Sequence, residues 1–251
     1  MSALSPALTP RMVDVGGQRR VYVWEVPVRI THWLIFVAIL VLSVTGFLIG
    51  RPVINPAGEA RAHHLMATVK VIHFYAAILF TTSILARLIW MFTGNVYSRW
   101  HQFVPVDGRR RGGVWGTLRF YLFLDRQTPP FAGHNPVAGL SYTLVFGLYA
   151  LVTATGFAMY SVDAPVGSPF RKLQWLIPLL GGLPWARWIH HVIMWLLLGF
   201  AVHHVYSALL VSHVEKNATM ESIFSGFKFL PPKEVDEERA FNARHHKGAR
   251  G

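Results

Sequence analysis

Between Trp188 and Leu210 the chain reads WIHHVIMWLLLGFAVHHVYSALL, with four histidines in two adjacent pairs inside a stretch that is otherwise almost pure hydrocarbon. A polar ring is costly in such surroundings unless it hydrogen-bonds or ligates, and a neutral imidazole nitrogen is a common metal ligand. Spacing separates the four. A helical residue turns about 100° and rises about 1.5 Å, so positions fourteen apart lie within about 40° of one face and about 21 Å apart along the axis. Only His190 and His204 have that separation. His190 with His203 and His191 with His204 point to nearly opposite sides, and His191 with His203 diverge by about a third of a turn. One helix face therefore carries two imidazoles at two depths.

Other chemistries lack their parts. The chain has no cysteine, which excludes disulfides, thiolate zinc sites, cysteine-ligated iron–sulfur clusters, nickel–thiolate centres and covalent haem attachment through CxxCH. Neither a GxSxG elbow nor a phosphate loop is present, and the apolar stretches hold no carboxylate pair, so hydrolysis and phosphoryl transfer have no visible machinery. Metal chemistry here must use histidine.

The elements that position these histidines follow from composition. Of 251 residues, 53% are hydrophobic and 14% charged, a balance that belongs to membrane proteins. Four windows match the length of a hydrocarbon core about 30 Å thick: Thr31–Gly50, Val71–Phe92 (interrupted by Arg87), Asn135–Val162 and Trp188–Val214. The apolar segment Leu173–Ala186 is broken by Pro178, Gly181, Gly182 and Pro184 and reads as an interfacial or re-entrant piece. VWGTLRFYLFL, after Arg109–Arg111, reads as an aromatic interfacial helix. The expected fold is all-α: an integral membrane four-helix bundle with added interfacial helical segments.

The first 30 residues show no cleavable signal. Lysine and arginine number four in the N-terminal arm, six in the loop after the second span and seven in the tail, against three in each of the other loops. Positive residues accumulate on the cytoplasmic side. The expected layout is a cytoplasmic arm (1–30), a four-helix transmembrane domain (31–214) and a cytoplasmic tail (215–251), in the cytoplasmic (inner) membrane of a bacterium or archaeon. The formal charge of +12 is accounted for by this topology, and no nucleic-acid partner is expected. The Arg109–Arg111 run reads as a topology signal beside lipid headgroups.

With this topology the histidine depths match in pairs. His32 opens span one in the cytoplasmic leaflet and His73 opens span two on the outer side; span four carries His190 near the outer surface and His204 deeper. His73 with His190, and His32 with His204, then form two bis-histidine pairs in a bundle core, the arrangement that holds two haems b. Each of the four is also a metal ligand on this reading.

The stretches VPVRITHWLIFVAILVLSVTGFLIGRP, VKVIHFYAAILFTTSILARLIWMFTGNVYSR, GHNPVA, TGFAMY and WIHHVIMWLLLGFAVHHVYSALL resemble the cytochrome b subunit of membrane-bound nickel–iron hydrogenases, a family related to the gamma subunit of formate dehydrogenase. The resemblance covers roughly residues 22–229 and its haem ligands fall on His32, His73, His190 and His204, the four that spacing selects. It implies a di-haem membrane anchor that takes electrons from an iron–sulfur small subunit, itself paired with a nickel–iron large subunit, and passes them to membrane quinone. On this reading the chain is an electron-transfer subunit of a hydrogen:quinone oxidoreductase complex with no hydrogen-activating centre of its own.

Two arginines are candidates to bind haem propionates: Arg29, one turn before His32, and Arg87, for which reaching out to lipid headgroups is the alternative. His191 and His203 lack facing partners and read as packing residues. His63 and His64 fall in an outer loop; His213, His245 and His246 read as surface groups. VTGFLIG and ATGFAMY echo one another, and Gly46 and Gly156 serve either close helix packing or the approach of a macrocycle. Two alternatives stand beside the main reading. One keeps the cytochrome and changes the donor to formate dehydrogenase or another periplasmic oxidoreductase. The other is a histidine-lined metal or proton transporter.

Overall fold

The computed structural model describes residues 12–15, 17–52, 64–105, 108–126, 131–237 and 240. His63, His245 and His246 lie outside them. Four helices are long and apolar enough to cross a membrane: α1 (Val26–Gly50), α2 (Leu65–Thr93), α4 (Pro136–Asp163) and α6 (Leu183–Glu215). α1, α2 and α6 begin five or six residues before the windows read from hydropathy, and α4 is shifted by one residue. Large apolar side chains such as Val44, Val71, Leu144, Trp195 and Val202 are exposed on these helices, which suits hydrocarbon as the solvent.

The helix starts are legible in chemical terms. In GHNPVA, the Asn135 side-chain oxygen accepts from Ala138 N at 2.8 Å, and Pro136 opens α4 where its missing N–H costs nothing. Before α6, Gly181 and Gly182 adopt φ of +82° and +97°. Their turn follows a 3-10 segment (Pro169–Trp175) and the short α5 (Leu176–Leu179). Leu173–Ala186 is thus broken as expected up to Gly182, but Leu183–Ala186, with Pro184, opens α6 and belongs to a candidate span.

The chain folds as two compact units. The second unit, Ile30–Arg87 with Gly147–Gly199, contains parts of all four long helices. Thr45 on α1 meets His73 on α2, Phe80 on α2 packs on Tyr149 of α4 at 5.1 Å, Thr155 on α4 meets His190 on α6, and Trp195 on α6 packs on Phe47 of α1 at 5.3 Å. These four pairings close the helices into a ring. Phe74, Phe157, Tyr160 and Phe170 add an aromatic cluster in which Phe74 stacks on Tyr160 and Phe157 on Phe170.

The first unit comprises Met1–Arg29, Leu88–Phe146 and Phe200–Gly251. It holds α3 (Gly108–Tyr121), α7 (Ser222–Ser225) and a three-stranded antiparallel sheet ordered β1 (Met12–Val15), β2 (Gln18–Tyr22), β3 (Phe227–Leu230). The all-α expectation did not include this sheet. It ties the N-terminal arm to the C-terminal tail through pairs such as Arg19 with Leu230 and Tyr22 with Phe227. Arg19 adds an ion pair to Asp236 at 2.6 Å. Val21, Val23, Trp24, Val28, Tyr97, Leu230 and Val235 form its buried core.

Lys228 is buried on β3 with its ammonium 5.8 Å from the Trp24 ring centroid. Burial lowers its pKa, against Glu215 and Glu234, which raise it. Glu234 is pushed up to about 6 by burial, then by Glu215 and Glu237.

Arg110 corrects the reading of Arg109–Arg111 as a run beside headgroups. Only 3% exposed, Arg110 donates from Nη1 to Gln102 Oε1 and from Nη2 to the carbonyls of Gln102 and His134, each at 2.8 Å. Arg109 pairs with Glu237 at 3.6 Å. Arg111 is the exposed member of the run.

Candidate functional site

The second unit brings together two of the four histidines selected by spacing. The ring centroids of His73 on α2 and His190 on α6 lie 6.5 Å apart at an interplanar angle of 55°. Each ring is held through Nδ1 by a neighbouring helix. Thr45 Oγ1 lies 2.8 Å from His73 Nδ1; Thr155 Oγ1 lies 3.0 Å from His190 Nδ1, and the Val152 carbonyl 3.1 Å from the same atom. Among the described hydrogen bonds neither Nε2 is engaged.

These two threonines were missed from sequence as site residues, although the signal was present. Each precedes the glycine of a TGF triplet, Thr45-Gly46-Phe47 on α1 and Thr155-Gly156-Phe157 on α4. Both glycines lie beside a ring edge, and the one at 156 is the close approach. A Cβ at Gly46 would stand 3.5 Å from His73 Cε1, and one at Gly156 would stand 3.2 Å from His190 Cε1. The echo is therefore a repeated imidazole holder: hydroxyl to Nδ1, bare backbone to the ring edge.

The pair would fit a metal ion held by the two imidazoles. With about 2.0 Å from nitrogen to metal and about 1.1 Å from ring centre to nitrogen, two imidazoles holding one ion between them would bring their centroids to about 6.2 Å. The observed separation of 6.5 Å is close to that, and with Nδ1 anchored the atom that would hold such an ion is Nε2. No group of three or more metal-binding side chains occurs among the described residues. A two-ligand site suits a metal that brings its own equatorial donors, as haem iron does.

His204 lies in the first unit, with the Tyr142 hydroxyl 3.3 Å from its Nδ1 and Phe200 stacked on its ring at 5.6 Å. Tyr142 in turn packs on His134, and His134 on Trp24, at centroid distances of 4.8 and 4.7 Å. His32 lies in the second unit, edge-on to Trp33. These two histidines fall in different units. His191 turns its Nδ1 back to the Arg187 carbonyl at 2.8 Å, and His203 is exposed. His64 and His213 are also exposed.

Arg29 donates from Nη1 to the Phe224 carbonyl, while its buried Nε has no hydrogen-bond partner among the described residues. A buried donor in that state lacks an acceptor worth about 1–3 kcal/mol, and a carboxylate is the acceptor a guanidinium pairs with best. Arg87 on α2 is 7% exposed, so its guanidinium is packed into the protein and does not reach out to headgroups.

Four membrane-length helices with imidazoles facing across their ring define the class of helical membrane cytochromes. Residues 23–226 match the model of the prokaryotic cytochrome b561 family, and the chain belongs to that family. It is 39% identical over 210 residues to a probable Ni/Fe-hydrogenase B-type cytochrome subunit of Cupriavidus necator, covering 82% of this chain and 86% of that one. A protein of the same name from Bradyrhizobium diazoefficiens is 34% identical over 233 residues, covering 90% and 94%. The probable Ni/Fe-hydrogenase 1 B-type cytochrome subunit of Escherichia coli K12 is 36% identical over 212 residues, covering 82% and 90%.

Proposed function

We propose that this chain is the di-haem cytochrome b and membrane anchor of a hydrogen-oxidising nickel–iron hydrogenase, carrying electrons from the iron–sulfur small subunit to membrane quinone. The observation that carries the reading is the His73–His190 pair: Nδ1 anchored, Nε2 unengaged, and centroids at 6.5 Å. The names of the relatives favour a nickel–iron hydrogenase as donor over formate dehydrogenase.

His73 and His190 hold one haem b on this reading. His32 and His204 hold the second, a pairing that rests on their matched depths in the sequence. A haem with both axial positions filled by histidine exchanges single electrons without binding oxygen or substrate at the iron. The chain's own residues do the rest. Thr45 and Thr155 orient the outer imidazoles, Tyr142 and Phe200 orient His204, and Arg29 and Arg87 are the cations for propionates. Lysine and arginine counts support cytoplasmic termini in the inner membrane, with the 31–214 domain spanning it.

The test is a reduced-minus-oxidised visible spectrum of the purified full-length protein with haem quantified as the pyridine haemochrome. Two low-spin b-type haems per chain are expected, falling to one in His73→Ala and unchanged in His203→Ala. A colourless protein after expression with ample haem would overturn the reading.

A further inference from the structure

The donor and acceptor roles at the two anchored imidazoles can be worked out. A hydroxyl has one hydrogen to give. Thr45 Oγ1 lies 2.6 Å from the Val41 carbonyl one turn back on its own helix. Thr155 Oγ1 lies 2.9 Å from the Leu151 carbonyl and 2.9 Å from that of Val152. Backbone carbonyls only accept, so each threonine spends its hydrogen on its own helix and offers Nδ1 an oxygen lone pair. Nδ1 must then carry the ring hydrogen. At His190 a second observation gives the same answer, because the Val152 carbonyl at 3.1 Å can only accept from Nδ1. Both rings are thereby locked in one tautomer, with the lone pair on Nε2.

The device occurs twice with one internal geometry. The hydroxyl is at position n, its carbonyl at n−4, and a glycine beside the ring edge at n+1, on α1 for His73 and on α4 for His190. At His190 the carbonyl at n−3, Val152, supplies a further backbone acceptor to the ring. At His204 the group facing Nδ1 is the Tyr142 phenol, and it stands farther off at 3.3 Å.

We propose that Thr45 and Thr155 are a matched pair of positioning residues that fix the tautomer and ring orientation of His73 and His190 and hold down the reduction potential of the haem between them. The inference rests on the proposed ligation. An acceptor on Nδ1–H pushes electron density into the ring, makes Nε2 a stronger donor and favours the oxidised metal.

The experiment uses the full-length protein in its complex and compares Thr45→Val and Thr155→Val with Thr45→Ser and Thr155→Ser. The readouts are haem per chain, low-spin g-values and a potentiometric titration. Valine keeps the shape and deletes the acceptor; serine keeps the acceptor and deletes a methyl. Each valine variant is expected to shift one haem to higher potential, leave the other in place, and weaken haem retention about 10–100-fold. The serine variants should stay near wild type. Thr155→Val should shift less than Thr45→Val, since the carbonyl at 3.1 Å remains. If Thr45→Val does not accumulate, Thr45→Ala against Thr45→Ser reads the same contrast. Valine variants with full haem, unchanged g-values and unchanged potential would overturn the inference and leave the haem reading standing. Serine variants as damaged as valine would also overturn it, as packing alone. His73→Ala with both haems retained would instead remove the reading on which it rests.

Discussion

Gly46 and Gly156 form an internally controlled pair for testing how closely the two rings are held. Alanine in place of either glycine gains about 1 kcal/mol of helix propensity. At position 46 the new Cβ would meet His73 Cε1 at 3.5 Å, an ordinary carbon–carbon contact, so the gain is unopposed. At position 156 it would meet His190 Cε1 at 3.2 Å, and a few tenths of an ångström must come from somewhere. His190 yields poorly, because Thr155 and the Val152 carbonyl hold its Nδ1 at 3.0 and 3.1 Å. Overpacking costs about 1–3 kcal/mol. The net for Gly156→Ala is then a loss of about 0–2 kcal/mol, concentrated on one ligand ring, equivalent to as much as about 30-fold in haem affinity. The assay is haem per chain after purification, repeated with added haemin, alongside thermal retention in detergent. Gly46→Ala should match wild type in haem and equal or exceed it in thermal retention. Gly156→Ala should be short of haem, and excess haemin should restore it. Equal loss in both variants, or full haem in Gly156→Ala, would refute the idea that glycine is needed there for the ring.

Arg110→Ala should cost about 2–5 kcal/mol, because three buried oxygens on Gln102 and His134 lose their donor together. Thermal unfolding in detergent reads this, and Arg110→Lys should recover only part, since one ammonium does not reproduce the planar fork. Glu234 gives the first unit a pH dependence. Its folded pKa of about 6 lies above the ordinary value near 4.3, so its stabilising contribution is full below about pH 4.3 and is lost as pH rises through about 6. Limited proteolysis of the C-terminal tail should speed up across that window in wild type and stay level in Glu234→Gln.

The spans were legible because hydrocarbon solvent demands long uncharged runs, and few soluble segments imitate that. The histidine pair was legible because helical geometry is rigid enough for spacing to choose His190 and His204 over their neighbours. The threonines were not, because a threonine in a span ordinarily bonds only to its own helix. Thr81 and Thr82 do so in this chain. What distinguishes Thr45 and Thr155 is a ring on another helix, which no local pattern reports. The sheet escaped for a related reason. β2 and β3 are five and four residues long and lie at opposite ends of the chain, so neither shows a sustained alternation. Arg110 shows the limit of reading charge by position, since a buried arginine with three satisfied bonds looks the same in sequence as one facing headgroups.

The two holders join helices that are consecutive among the spans: α1 grips the histidine of α2, and α4 grips the histidine of α6. Each half of the site is thus made within one helical hairpin and can form as soon as that hairpin leaves the insertion machinery, before the other exists. On the proposed ligation, haem then acts as the clasp between two prefabricated halves, and its arrival, not the last helix, completes the bundle. Haem starvation should accordingly leave two intact hairpins that separate easily, and the chain should tolerate being made as two pieces cut between residues 93 and 136.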